Sequence, residues 1–155
     1  MKTIYNAKHA LHRAEYEFFR GEKVAAFEKP ERADWVLAAL QRDGVGDVLA
    51  PTPHSDDAIL KVHSARYVSF LRGAHSEYVS LGGKGDVFPS IWPIRGMRSD
   101  VEPENFAARM GLYSFDSGSP LTSGTWAAAR EGADCAMSGA ALLSAGEGSA
   151  FVLTR

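Results

Sequence analysis

The last third of the sequence constrains the fold more than any other part. Residues 125–145 have the composition and period of a helix, and Gly146 follows as a residue that readily adopts the left-handed conformation common at helix ends. The apolar residues 150–154 come next, and a run this short and apolar is typical of a core strand. A helix, a glycine turn and a buried strand form half of an α/β unit, so the sequence predicts an α/β fold.

Small residues follow one face of this predicted terminal helix. The residues that fall near that face are Trp126, Ala129, Ala133, Met137, Ala140 and Ala141. Their size would let a neighbouring sheet or helix approach closely. Ser123 or Thr122 is placed to cap the first free N–H groups. Cys135, the single cysteine, lies among alanines and is interpreted as a small buried hydrophobic residue rather than a reactive thiol.

Composition excludes several classes of partner. The chain has 155 residues, about the length of one domain, with 45% hydrophobic residues, 23% charged residues and a net charge of −2. Binding to a nucleic acid backbone needs a surplus of Lys and Arg that this sequence lacks. No apolar run reaches the roughly 20 residues that span a bilayer, and the first residues carry no secretory signal. We therefore expect a cytoplasmic protein that binds neither nucleic acid nor membranes.

Local patterns before residue 82 predict several elements. Pro30 suits the first turn of a helix, and apolar residues at helical spacing run from Ala33 to Leu40 before Asp43 and Gly44 close it. The other predicted elements are strands over 2–5 and 47–50 and helices over 56–63 and 64–75. His63 lies between those two helices, where a structural role is favoured because no metal partners stand at ligand spacing.

Two segments show neither helical nor strand periodicity. Residues 9–20 mix acidic and aromatic side chains and are interpreted as a candidate binding loop, the alternative being a solvated connection. Residues 81–110 form a long apolar loop that is expected to pack on its own domain, on a ligand or on a second subunit. No glycine-rich phosphate-binding motif is present.

Four stretches of the sequence are similar to a known family. They are Glu28-Lys-Pro-Glu-Arg-Ala33, residues 60–71, Gly111-Leu-Tyr-Ser-Phe-Asp116 together with Ser123-Gly-Thr-Trp126, and residues 150–155. In order and spacing they resemble the N-terminal part of the bacterial acetylpolyamine amidohydrolases, relatives of the zinc histone deacetylases with the arginase/deacetylase fold. The resemblance implies a parallel-sheet, three-layer α/β/α architecture. Residues 1–155 would form the N-terminal part of a single deacetylase domain, with a loop insertion around 82–120.

This resemblance also implies a chemistry. In the family a zinc-bound water attacks the acetamide carbonyl of an acetylated polyamine or similar amine, and two adjacent histidines move protons. Those histidines would follow directly after Arg155, and the zinc ligands and a tyrosine would lie further downstream. No catalytic or metal residue is therefore expected within 1–155. The chain alone is expected to bind no zinc, to hydrolyse nothing and to be poorly soluble.

What the resemblance assigns to this chain is the outer wall of the active site. Glu17, Phe19 and Asp116 would bind substrate, because carboxylates attract an ammonium chain and aromatic faces add cation–π attraction. Asp116 departs from the family pattern, in which the acidic residue aligns near Gly118.

The long insertion has a second implied role. Residues 82–120 resemble the loop that narrows the tunnel and builds a homodimer, with Phe88, Trp92 and Phe106 as the apolar contact residues. Two alternatives stay open: a non-catalytic truncated module that lacks the zinc site, and an unrelated doubly wound domain that binds a small ligand. The missing phosphate loop and the four similar stretches count against the second.

Overall fold

A computed structural model describes all 155 residues as a mixed α/β chain. The strands are β1 (Lys2–Tyr5), β2 (Tyr16–Phe19), β3 (Glu22–Ala25), β4 (Val48–Leu49) and β5 (Ala150–Leu153). The helices are α1 (Glu31–Arg42), α2 (Asp57–Leu60), α3 (Ala65–Ser80), α4 (Phe106–Leu112) and α5 (Thr125–Ser144), with a 3₁₀ helix at His9–Leu11. None of these helices has both the length and the apolar character to cross a membrane.

The chain divides into two compact units. The first contains Met1–Arg13, Lys29–Ser64 and Gly124–Arg155, and the second contains Ala14–Glu28 and Ala65–Ser123. The first unit holds a parallel three-stranded sheet in the order β4-β1-β5. Thr3 and Ile4 of the central strand are buried, and Thr3 pairs with Val48 on one side and Phe151 on the other. The predicted α/β class and its parallel sheet are confirmed.

The terminal helix α5 lies where the sequence predicts it but buries a different face. Its buried residues are Ala128, Asp134, Cys135, Ser138 and Gly139, whereas Ala129, Ala140 and Ala141 are exposed. The predicted face is wrong because β5 approaches most closely at Gly139, where an added Cβ would lie 2.5 Å from Cγ2 of Val152. Alanine is already too large for that contact, so glycine decides which face meets the sheet.

Polar side chains on α5 account for the rest of this face. Oγ of Ser138 accepts a hydrogen bond from the Thr52 N–H at 2.8 Å, and Oδ1 of Asp134 accepts one from the His54 N–H at 2.9 Å. Arg130 pairs with Asp134 at 2.7 Å. These contacts satisfy backbone groups of the segment between β4 and α2, which is why polar residues are tolerated inside.

The start of α5 also differs from the prediction. Gly124, rather than Ser123 or Thr122, is the N-cap residue. A Cβ on Gly124 would lie 2.2 Å from the carbonyl oxygen of Leu11. The approach of that backbone therefore requires glycine. Cys135 is fully buried, as predicted, and burial raises the pKa of its thiol to about 11.

The second unit is built around α3 and α4. Its buried cluster is Phe70, Ala74, Val87 and Met110, with Tyr78, Phe106, Tyr113 and Leu121 packed against it. Helix α4 overlaps the end of the segment predicted to be a loop, so that prediction is wrong for residues 106–110, whereas no helix or strand lies between α3 and α4. Oδ1 of Asn105 accepts a hydrogen bond from the Ala108 N–H at 3.1 Å and so caps the helix. Seven residues are too few to show a clear period, and packing on α3 supplies the stability that such a short helix lacks.

Residues 9–20 are also more regular than predicted. They contain the 3₁₀ helix, and β2 pairs with β3 in an antiparallel hairpin. Arg20 and Gly21 connect the strands, both with positive φ, at 53° and 84°. A two-residue turn with these angles matches the right-handed twist of a hairpin. Arginine is an unusual residue at the first position, so the turn was not evident from the sequence.

Candidate functional site

The β2–β3 hairpin places two of the predicted substrate-binding residues on the same face. Side chains alternate along a strand, so Glu17 and Phe19 lie on one face of the hairpin. Glu17, Phe19 and the nearby Phe27 are called the Glu17 face below. Oε1 of Glu17 accepts a hydrogen bond from the Phe27 N–H at 3.1 Å. The rings of Phe19 and Phe27 meet edge to face with centroids 5.9 Å apart. A carboxylate and two aromatic rings are therefore held close together.

This face has the chemistry that recognises an alkylammonium group. Half of the Phe19 surface and 65% of the Phe27 surface are exposed, although rings of this size are usually buried. The guanidinium carbon of Arg20 lies 5.2 Å from the Phe19 centroid, so the ring already accepts a cation. A carboxylate beside exposed aromatic rings attracts an ammonium group by both charge and ring quadrupole.

The other face of the hairpin carries a second aromatic group that the sequence reasoning missed. This Tyr16 face consists of Tyr16, Phe18 and Lys23, with Phe88 packed against it. The Tyr16 and Phe88 rings are stacked with centroids 4.8 Å apart, and the Lys23 ammonium lies 3.5 Å from the Tyr16 centroid. The alternation of Tyr16 and Phe18 is typical of a strand with one aromatic face. It indicates a hairpin only when Arg20 and Gly21 are recognised as the turn that follows.

Asp116, the third predicted substrate-binding residue, lies apart from these contacts. Its Oδ1 accepts a hydrogen bond from the Gly118 N–H at 2.8 Å, which is the local bond of an Asx turn. No hydrogen bond joins it to Glu17, whose carboxylate is bound to the Phe27 N–H. The side chain is exposed and shapes its own loop.

The three residues predicted to form a subunit contact have different surroundings. Phe106 packs inside the second unit, with ring centroids 6.2 Å from Phe70 and 5.8 Å from Tyr78. Phe88 stacks on Tyr16 as described above. Trp92 is 39% exposed and belongs to a stretch, residues 91–100, in which every residue is exposed. Trp92 is thus the member of the set that is best placed to meet another molecule.

A second candidate site is a cleft of about 380 Å³ in the first unit. It is lined by Asn6, His9, His12, Thr125, Ala128, Ala129, Gly132, Thr154 and Arg155. These residues follow the carboxyl ends of β1 and β5 or belong to α5 and the 3₁₀ helix, and the carboxyl edge of a parallel sheet is where α/β proteins commonly bind ligands. No local pattern in the sequence indicates this cleft, because its lining comes from segments far apart in the chain.

Hydrogen bonds hold the polar side chains of the cleft in place. The Asn6 amide donates to the carbonyl oxygens of Ala128 at 2.9 Å and Thr154 at 3.0 Å, linking both flanking elements to β1. Nδ1 of the buried His9 lies 2.9 Å from the Asn6 carbonyl oxygen. Nδ1 of His12 lies 2.7 Å from Oγ1 of Thr125. The cleft is therefore braced by a side chain that directly follows the central strand.

The residues present do not form a zinc site. No group of three or more His, Cys, Asp or Glu side chains is placed to hold a metal ion anywhere in the 155 residues. Nδ1 of His9 and of His12 face a backbone carbonyl and a hydroxyl, as described, and His63 is exposed beyond α2. A catalytic zinc needs about three converging protein ligands, and the 155 residues do not bring that many together.

Comparison with known proteins identifies the relatives of this chain. The chain matches no protein-family model. Over 155 residues it is 41% identical to acetylpolyamine amidohydrolase 2 of Pseudomonas aeruginosa and 36% identical to the acetylpolyamine amidohydrolase of Mycoplana ramosa. Each match covers 100% of this chain but 45% of the relative, so the chain spans less than half the length of these proteins.

A solved structure agrees with the sequence comparison. The crystal structure of acetylpolyamine aminohydrolase from Burkholderia pseudomallei superposes with a TM-score of 0.81 at 25% identity, covering 95% of this chain and 42% of that one. A score this high over nearly every residue means that the fold is shared, including its parallel sheet. The chain is therefore a homologue of the bacterial acetylpolyamine amidohydrolases along its whole length, and it carries the corresponding part of their fold.

Proposed function

We propose that this chain is part of a deacetylase that hydrolyses the amide of acetylated polyamines, or of similar acetylated amines, and releases acetate. The observation that carries the proposal is the 41% identity, across all 155 residues, with a relative named for that activity. The shared fold also supports it. In such an enzyme this chain would contribute part of the sheet and the rim that receives the substrate.

The Glu17 face supports the choice of a cationic substrate. An acetylated polyamine has a neutral amide at one end and at least one ammonium group further along. The Glu17 carboxylate would attract that ammonium, and the exposed Phe19 and Phe27 rings would add cation–π contacts. We assign these residues to orientation of the amine rather than to bond cleavage, because none is placed beside a nucleophile or a general base.

Zinc dependence, homodimer formation and a cytoplasmic location are proposed for the complete protein on the strength of the family resemblance. The metal would polarise the acetamide carbonyl and activate water when bound. Its ligands and the histidine pair would have to come from residues outside the 155, because the described side chains do not form such a group. The contribution of this chain is binding and orientation.

The test uses the complete protein that carries this chain. Acetate release is measured from acetylputrescine and from N-butylacetamide, which has a hydrogen atom in place of the ammonium group. We expect turnover of both, a higher kcat/KM for acetylputrescine, and loss of both on chelation with recovery on adding zinc. No acetate release from either compound would contradict the proposal and favour the alternative of a non-catalytic module.

A further inference from the structure

The Tyr16 ring is contacted from several directions within the second unit. Phe88 stacks on it at 4.8 Å with an interplanar angle of 21°, and Phe18 meets it edge-on at 5.9 Å. The Lys23 ammonium lies 3.5 Å from its centroid. An ammonium at that distance is in van der Waals contact with the ring, so it cannot share a face with the stacked Phe88 ring. Lys23 and Phe88 therefore occupy opposite faces of Tyr16.

Aromatic contact is the main partner of the Lys23 charge. No carboxylate forms an ion pair with this lysine, and its ammonium is well within the 6 Å range of a cation–π contact. Lys23 pairs directly with Phe18 in the hairpin, and Tyr16 pairs with Ala25, so the lysine reaches Tyr16 diagonally on the same face. The register of the hairpin thus holds an ammonium on this ring.

Lysine's side chain is chemically similar to the end of a polyamine. Four methylene groups lead to a primary ammonium in lysine, and the aminobutyl end of a putrescine-derived polyamine has the same composition. A ring face that accepts one accepts the other. Phe88 and Phe18 support the Tyr16 ring without help from Lys23, so the ring would keep its position if the lysine moved away.

We propose that the face of the Tyr16 ring opposite Phe88 is an alkylammonium subsite that Lys23 occupies when no cationic ligand is bound. This inference rests on the proposed function for the identity of the ligand, a polyamine. Lys23 then competes with the ammonium of the ligand and weakens its binding. The subsite is distinct from the Glu17 face, because Tyr16 and Glu17 are adjacent in β2 and point to opposite sides of the hairpin.

Competition of this kind is tested by binding, without turnover. Putrescine is titrated into the complete protein by calorimetry, using the wild type, Lys23→Met and the matched control Lys61→Met, which removes the same charge from an exposed lysine elsewhere. We expect the Kd of putrescine to fall about two- to five-fold in Lys23→Met, the fold-change of one exposed cation–π contact. Lys61→Met should leave it unchanged. Adding Tyr16→Leu to Lys23→Met should remove the gain in affinity for putrescine.

NMR follows the displacement directly. The Lys23 ε-methylene protons lie near the Tyr16 ring and should be shifted upfield by its ring current. Saturating putrescine should return them towards the values of a free lysine, and butan-1-ol should not. An unchanged Kd of putrescine in Lys23→Met, or Lys23 chemical shifts that do not change when putrescine is added, would overturn the subsite. If binding changes as expected but acetate is never released, the proposed function fails and the subsite stands. If acetate is released but the Kd of putrescine does not change in Lys23→Met, the subsite is overturned and the proposed function stands.

Discussion

Glu17 and Asp116 carry the same charge in different surroundings, and this difference sets their expected effects. Glu17 lies beside two exposed rings, whereas Asp116 is tied into its own turn. In the complete protein we expect Glu17→Gln to lower kcat/KM for acetylputrescine about two- to five-fold more than for N-butylacetamide, which is the range of one exposed charge pair. Glutamine keeps the acceptor for the Phe27 N–H, so the hairpin should stay intact.

Controls for that comparison are available on the same chain. Glu104→Gln removes an equal charge from an exposed position outside the hairpin and should affect both substrates alike. If the loop that contains Asp116 also lies at the rim, Asp116→Asn should lower kcat/KM more for acetylputrescine than for N-butylacetamide, by a smaller factor than Glu17→Gln does. Equal losses on both substrates for Glu17→Gln would show that this carboxylate does not select the amine.

Cys135 gives a second prediction at the scale of a single residue. Its thiol pKa is raised from 9.0 to about 11, mainly by burial and also by the charges of Glu131 and Asp134. As the pH rises, the Cys135 thiol loses its proton in the unfolded chain before it does so in the folded chain. The stability that the neutral thiol contributes is therefore fully present below pH 9 and is lost as the pH rises towards 11. Urea unfolding between pH 8 and 10.5 should therefore show a steeper loss of stability for the wild type than for Cys135→Ala. Parallel curves would rule out this contribution.

The β2–β3 hairpin is the element on which both aromatic faces depend. Its first turn residue, Arg20, has a φ of 53°, a conformation that asparagine tolerates and a β-branched residue does not. We expect Arg20→Asn to raise the free energy of unfolding by up to about 0.5 kcal/mol and Arg20→Val to lower it by roughly 1–2 kcal/mol. Chemical denaturation checks both values. Equal stability of the two variants would mean that the turn opens in solution.

Subunit association is a prediction at the scale of the whole molecule. Trp92 is partly exposed, so Trp92→Asp should convert a dimer of the complete protein to monomer in sedimentation while each subunit stays folded. Phe106→Asp is the contrasting variant, because Phe106 packs against Phe70 and Tyr78 and its loss should unfold the second unit. A Trp92→Asp protein that sediments as the wild type does would assign the loop to an intrachain role.

Expression of residues 1–155 alone provides the last prediction. We expect no stoichiometric zinc and no deacetylation, because no three ligating side chains converge in this part of the chain. We also expect aggregation, because β5 is an outer strand of the sheet and an uncovered edge strand can pair with another copy. Metal analysis, an acetylputrescine assay and size exclusion test these three expectations. A monodisperse product with zinc and activity would contradict them.

Local patterns in the sequence were sufficient for the elements whose residues interact with near neighbours. Proline in the first turn and helical spacing placed α1, and apolar runs placed β1 and β5, because these signals depend on a few consecutive residues. The similarity of four stretches to the acetylpolyamine amidohydrolases predicted both the parallel sheet and the proteins to which the chain is related. Neither source could place the α4 helix, whose stability comes from packing on α3.

Tertiary structure alone decided which side chains share a surface. The sequence by itself determined that Glu17 and Phe19 are candidates for an amine-binding rim. Only the turn at Arg20 and Gly21 put them on one face of a hairpin and put Tyr16 and Lys23 on the other. The buried face of α5 was likewise set by the closeness of β5 to Gly139 rather than by the pattern of small apolar residues along the helix. In each case the deciding contact joins residues that are distant from one another or separated by a turn, and no local pattern records such a contact.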